Sequence, residues 1–150
     1  MRTHNIILSA IASAGLSLSA ISAPAIAGEY SVMASAEAQM LYSGAWSKKS
    51  FKSSGEWSIY TAGGKTFVKL SSDFKTRKAP DLKIFLSPRA ASDTNGKNAT
   101  DGSVLIARLS SNAGEQIYEI PESIDVTAFK SILIHCEQYS KLWSAADLAS

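Results

Sequence analysis

The chain has 150 residues, with 15 lysines and arginines against 13 acidic residues and one cysteine, Cys136. A formal net charge of +2 is too small to argue for nucleic acid. A lone cysteine excludes any disulfide within the chain.

The N-terminus reads as a leader. Arg2 is followed by the uncharged, small-residue-rich run from Ile6 to Ile21, and Ala25-Ile26-Ala27 has the form of an A-x-A cleavage site. The run is shorter than the ~20 residues needed to span a bilayer, and Pro24 interrupts it before the cleavage site. The expectation is a cleaved signal peptide at 1–27, an N-terminal arm at 28–41 and one domain at 42–150. The product would be exported to the periplasm or the extracellular space, with no membrane span. Cleavage removes Arg2 and no acidic residue, leaving 14 basic against 13 acidic side chains. The remaining length suits a single domain that buries roughly two thirds of its unfolded surface.

Glu29 to Leu41 is rich in alanine and methionine and lacks turn residues, which leaves a short helix and an ordered arm both open. From Tyr42 onward, short apolar or alternating runs are separated by Gly, Pro, Ser, Asn and Asp, the pattern of strands and turns. Strands are expected at Gly55–Thr61, Lys65–Ser71, Leu82–Ser87, Val104–Leu109, Gln116–Ile120 and Ser131–Glu137. Gly63-Gly64 supplies the positive φ of a tight hairpin between the first two. Arg89 to Gly102 is the longest connection, and its polarity predicts a mobile loop that is not buried. The fold class is all-β, a β-sandwich of about seven to eight mostly antiparallel strands.

Ser131-Ile132-Leu133-Ile134-His135-Cys136-Glu137 is the informative strand. Alternation puts Ile132, Ile134 and Cys136 on one face and Leu133, His135 and Glu137 on the other. Cys136 reads either as a small buried hydrophobe or as a reactive or ligating thiolate. Beyond the leader there is one His and one Cys, and adjacent side chains on a strand diverge. Copper and closed zinc sites within one chain are therefore excluded, as is C-x-x-C-H haem attachment. A hydrolytic nucleophile would need a base, and His135 is the only imidazole there. What remains for Cys136 is a haem axial ligand, a redox thiol or an intermolecular disulfide.

Lys75-Thr76-Arg77-Lys78 is a basic cluster that reads as a solvated loop, with an anionic partner surface as the lesser alternative. Trp46, Trp57 and Trp143 read as core or rim aromatics, with a stacking surface for a flat cofactor as the lesser alternative. Pro80 and Pro121 read as breaks between elements. Asn98-Ala99-Thr100 matches a glycosylation sequon.

Taken in order, several segments resemble the DM-thirteen domain, the electron-transfer DM domain found beside DOMON modules in Skeletor-type proteins. Gly55-Glu56-Trp57-Ser58-Ile59 is similar to the family's opening, and Phe67-Val68-Lys69-Leu70 with Asp73-Phe74 to its second strand and turn. Ala79-Pro80-Asp81-Leu82-Lys83-Ile84-Phe85-Leu86 resembles its central "gPDLyvyL" segment, and Gly114 to Pro121 its "G.q.Y.iP" segment. The Cys136 strand resembles "sVvIwCe". His135 stands where the family usually has an aromatic residue, and Trp143-Ser144-Ala145-Ala146 where an "fG.A" ending is usual. The resemblance implies a β-sandwich in which Cys136 is the family's characteristic cysteine, with haem through Cys136 as a candidate prosthetic group.

The functional expectation is an exported electron-transfer or thiol-redox module centred on Cys136, with His135 beside it. It would work with a redox or binding partner in the cell envelope and fits a module better than an enzyme with its own turnover. The alternative is a non-catalytic extracytoplasmic sandwich in which Cys136 only packs.

Overall fold

The computed structural model describes residues 37–148. The signal peptide expected at 1–27, and most of the arm at 28–41, lie outside the described residues.

Among the described residues nine strands form two antiparallel sheets. The first sheet has the order β1-β3-β4-β7, from β1 (Gln39–Ala45), β3 (Glu56–Ala62), β4 (Lys65–Leu70) and β7 (Gln116–Ile120). The second has the order β2-β9-β8-β5-β6, from β2 (Ser47–Lys48), β9 (Lys141–Asp147), β8 (Ser131–Cys136), β5 (Leu82–Ser87) and β6 (Val104–Arg108). The chain is a β-sandwich, and its only helical pieces among the described residues are three 3-10 turns of three residues each.

The β3–β4 hairpin closes as its glycines require. Gly63 and Gly64 have φ of 59° and 77°, the pair of left-handed residues that makes a type I′ turn, with Ala62 opposite Lys65. Alternation then decides the faces. Trp57 and Ile59 on β3 and Val68 and Leu70 on β4 point inward and are fully or nearly fully buried. They meet Ile84 and Leu86 of β5, Ile132, Ile134 and Cys136 of β8, and Trp143 and Ala146 of β9. Each large apolar side chain buried in this layer contributes about 1.5–3 kcal/mol before entropy is counted.

The strand sequences predicted from alternation appear with ends shifted by at most one residue. Three strands were not predicted. β1 takes up Gln39–Leu41, the last residues assigned to the arm, and β2 and β9 pair with one another along the edge.

The long connection is exposed or half-buried along most of its length, as its polarity predicts, but Ala91, Thr94 and Ala99 are buried against the sheet. All six residues of β8 are buried, so this strand is covered on both faces. A second apolar cluster of Phe85, Ala91, Ala99, Leu133, Leu142 and Ala145 lies between the outer face of the sheet and the 88–103 segment. That segment packs down because its polar groups are satisfied locally. Asn95 Oδ1 accepts from the Lys97 and Asn98 amides, Asn98 Oδ1 accepts from the Asn95 amide, and Thr94 Oγ1 donates to the Ala90 carbonyl. Ala91 and Ala99 turn inward, and the Ala91 amide donates to Asp147 Oδ1 at 2.6 Å. The same polar side chains that keep most of the loop exposed bond its backbone locally, which lets Ala91 and Ala99 lie on an apolar face.

Candidate functional site

β8 is the centre of its sheet, and Cys136 is its last residue. Its cross-strand neighbours are Leu82 on β5 and Lys141 on β9. Cys136 is a free thiol with 0% exposure, on the inner face with Ile132 and Ile134 as alternation predicts.

His135 faces the opposite layer. Its ring meets Phe85 edge-on at 6.0 Å, and its Nε2–H donates to the Gly96 carbonyl at 3.2 Å. Nδ1 is buried with no partner. The imidazole therefore fills a slot beside Phe85 under the 88–103 loop. The structure does not bring His135 and Cys136 together. Gly96 allows this docking, because a Cβ there would collide with the Ser140 carbonyl.

Beyond Cys136 the chain leaves the sheet in a 3-10 turn at Glu137–Tyr139 and reverses at Ser140, which has φ of 48°. The Glu137 carboxylate pairs with Lys83 and holds its ammonium above the ordinary lysine value, with burial opposing and Asp81, 3.3 Å away, adding to the rise.

Two clefts meet at Lys78-Ala79-Pro80, beside the end of β8. The smaller, about 220 Å³, is lined by Leu82. The larger, about 530 Å³, is lined by Phe51, Arg77, Tyr139, Lys141 and Trp143. Cys136 lines neither, yet one of its cross-strand neighbours lines each.

The larger cleft is held together from three parts of the chain. A bulge at Trp143, where the register slips between Ile134 and His135, puts this ring in the inner layer. The Trp143 indole donates to the Arg77 carbonyl at 3.2 Å, and its ring centroid lies 4.0 Å from that of Phe51. Ser144, where the family ending has glycine, is buried and donates to the Phe51 carbonyl at 3.0 Å. Its oxygen also lies 2.8 Å from Ser53 Oγ, from which it accepts, and Ser53 Oγ is in turn 2.9 Å from Thr76 Oγ1. Of these residues, sequence reading picked out Arg77, Lys78 and Trp143 and missed Phe51, Tyr139 and Lys141, which local patterns do not join.

The arrangement limits the prosthetic chemistry. A thiolate axial ligand must present its sulfur to the open face of a porphyrin. Sγ belongs to a fully buried residue of the packed inner layer, and His135 is spent on the other face, so these residues do not fit haem at Cys136. Among the described residues no group of three or more His, Cys, Asp or Glu side chains is placed to hold a metal ion.

A two-sheet antiparallel sandwich with one buried thiol at the end of its central strand defines the class of domain. Residues 46–148 match the family model described as electron transfer DM13. This covers most of the chain, which belongs to that family. Comparison with curated proteins and with solved structures gave no match.

Proposed function

We propose that this chain is an exported electron-transfer module in which Cys136 is the group oxidised and reduced. The observation that carries the reading is the position of the thiol. In a domain whose family is described by electron transfer, the chain's single cysteine ends the central strand, next to residues that line two clefts.

Burial selects among thiol chemistries. Disulfide exchange needs a second sulfur to reach Sγ, and sulfenic acid formation needs a peroxide to touch it. At 0% exposure neither occurs unless the strand end opens. The electron needs no such contact, and only the proton that leaves with it requires an acceptor reaching Sγ. Removing one electron from the thiol breaks the S–H bond and releases its proton, so the reading calls for a one-electron oxidant at a cleft and a proton acceptor at the same end of the sandwich. Reduction reverses both transfers.

Full burial also supports a second reading, in which Cys136 is a packing residue of a non-catalytic binding or structural sandwich. Voltammetry of wild type and Cys136→Ser separates the two: a response that depends on the thiol supports the first, and identical traces support the second. Export rests on the leader sequence. Intact mass of a secreted product beginning at Gly28 is expected, and a product retaining Met1 contradicts it.

A further inference from the structure

The geometry points to the larger cleft as a binding site for a flat aromatic anion, a fused ring system carrying a carboxylate, sulfonate or phosphate group. Three cations, Arg77, Lys78 and Lys141, line it together with the rings of Phe51, Tyr139 and Trp143, and no carboxylate lines it. The Arg77 guanidinium sits 4.8 Å from the Phe51 ring centroid, and Lys141 Nζ lies 6.0 Å from the same point. Two like charges are thus gathered over one ring, where each gains from the ring quadrupole but repels the other. An anion between them removes that repulsion.

None of the cations that line the cleft is neutralised by an acidic side chain of the described residues. Among the described residues, Lys65, Lys69, Lys83, Arg89 and Arg108 each have a carboxylate within ion-pair distance. Arg77, Lys78 and Lys141 make no such pair, nor do Lys52 and Lys75, which line an adjoining cleft that shares Arg77; Lys48, Lys49, Lys97 and Lys130 are likewise unpaired but line neither cleft. Unneutralised cations lining a concave wall focus positive potential into it. A volume of about 530 Å³ lies in the range that takes a drug-sized organic molecule.

The ring half of the ligand follows from the walls. Tyr139 is 56% exposed at the rim, and Phe51 and Trp143 form the apolar floor. A compact inorganic anion would use the cations and leave these rings in water. This binding claim stands on the cleft alone and does not depend on the chemistry of Cys136.

The test is titration of the purified protein with flavin mononucleotide and with an anthraquinone sulfonate. Binding is followed by ligand fluorescence or absorbance and by NMR shifts of the Trp143 indole and the Arg77 and Lys141 amides. Riboflavin serves as the uncharged ring and inorganic pyrophosphate as the charge without a ring. At least one of the two ring anions is expected to bind with shifts confined to the cleft, and riboflavin and pyrophosphate at least about tenfold more weakly than the better ring anion. Arg77→Ala and Lys141→Ala, both at exposed positions, are expected to weaken that binding about tenfold or more with unchanged thermal midpoint. Lys65→Ala on the other sheet should leave it unaltered. Failure of both ring anions to bind at millimolar concentration, binding by riboflavin or pyrophosphate as tight as theirs, insensitivity to both substitutions, or shifts centred elsewhere would each overturn the assignment.

Discussion

His135 and Cys136 are consecutive on β8, yet they sit in different apolar layers. The thiol packs between the two sheets, and the imidazole packs between the second sheet and the 88–103 loop with its Nε2–H on the Gly96 carbonyl. The pleat thereby separates the only two side chains of the domain that sequence suggested for redox or ligating chemistry. The thiol has to act, if it acts, without an imidazole base.

The first prediction concerns the reactivity of the thiol. Cys136 should label slowly with a thiol reagent in the native protein and stoichiometrically on unfolding, because no reagent reaches a sulfur at 0% exposure. The labelling rate should rise with denaturant in step with the unfolding transition. Rapid native labelling would mean that the end of β8 opens readily.

Cys136→Ser should fold but lose stability. A hydroxyl among Ile132, Ile134 and Leu82 has no partner in view, and a buried unsatisfied hydroxyl costs about 1–3 kcal/mol. Urea unfolding of the two proteins measures the difference. No loss would mean the hydroxyl finds a partner by local rearrangement.

The loop over β8 depends on His135. His135→Ala should remove both the Phe85 contact and the bond to Gly96, at a cost of about 2–3 kcal/mol, and should expose the 88–103 segment to limited proteolysis. His135→Phe refills the slot and removes the orphaned Nδ1, so it should stay within about 1 kcal/mol of wild type. Cleavage at the loop in His135→Phe equal to that in His135→Ala would show that the Gly96 bond, not ring packing, holds it.

Asp125 gives a pH dependence of known sign. Its carboxylate accepts from the Thr127 hydroxyl and amide at the start of the Val126–Ala128 turn, and these bonds hold its pKa below the ordinary 3.8. A depressed folded-state pKa contributes stability above the ordinary value, and that contribution is lost as pH falls through the folded value. The thermal midpoint of Asp125→Ala should therefore lie below wild type at neutral pH, with the gap closing in acid. A gap that widens in acid would contradict the cap.

The sequence made the central strands legible because Trp57, Ile59, Val68 and Leu70 alternate cleanly and Gly63-Gly64 marks their turn. β9 was not legible. Lys141-Leu142-Trp143-Ser144-Ala145-Ala146-Asp147 has no β-branched residue, and its strand character comes from pairing with β8 around a bulge. The docking of the 88–103 loop on the outer face of β8 had a signal that went unused. Ile132-Leu133-Ile134 is apolar without interruption, which is the mark of a strand covered on both faces. The larger cleft joins Phe51 to Trp143 across the β2–β9 edge, a contact that only the tertiary fold creates.

Whether Cys136 carries electrons is tested most directly by protein-film voltammetry of wild type beside Cys136→Ser, both checked for native β structure by circular dichroism. The account predicts a reversible response in the wild type that disappears in Cys136→Ser while the fold is retained. The same trace from both proteins, flat or not, would contradict a redox role for Cys136.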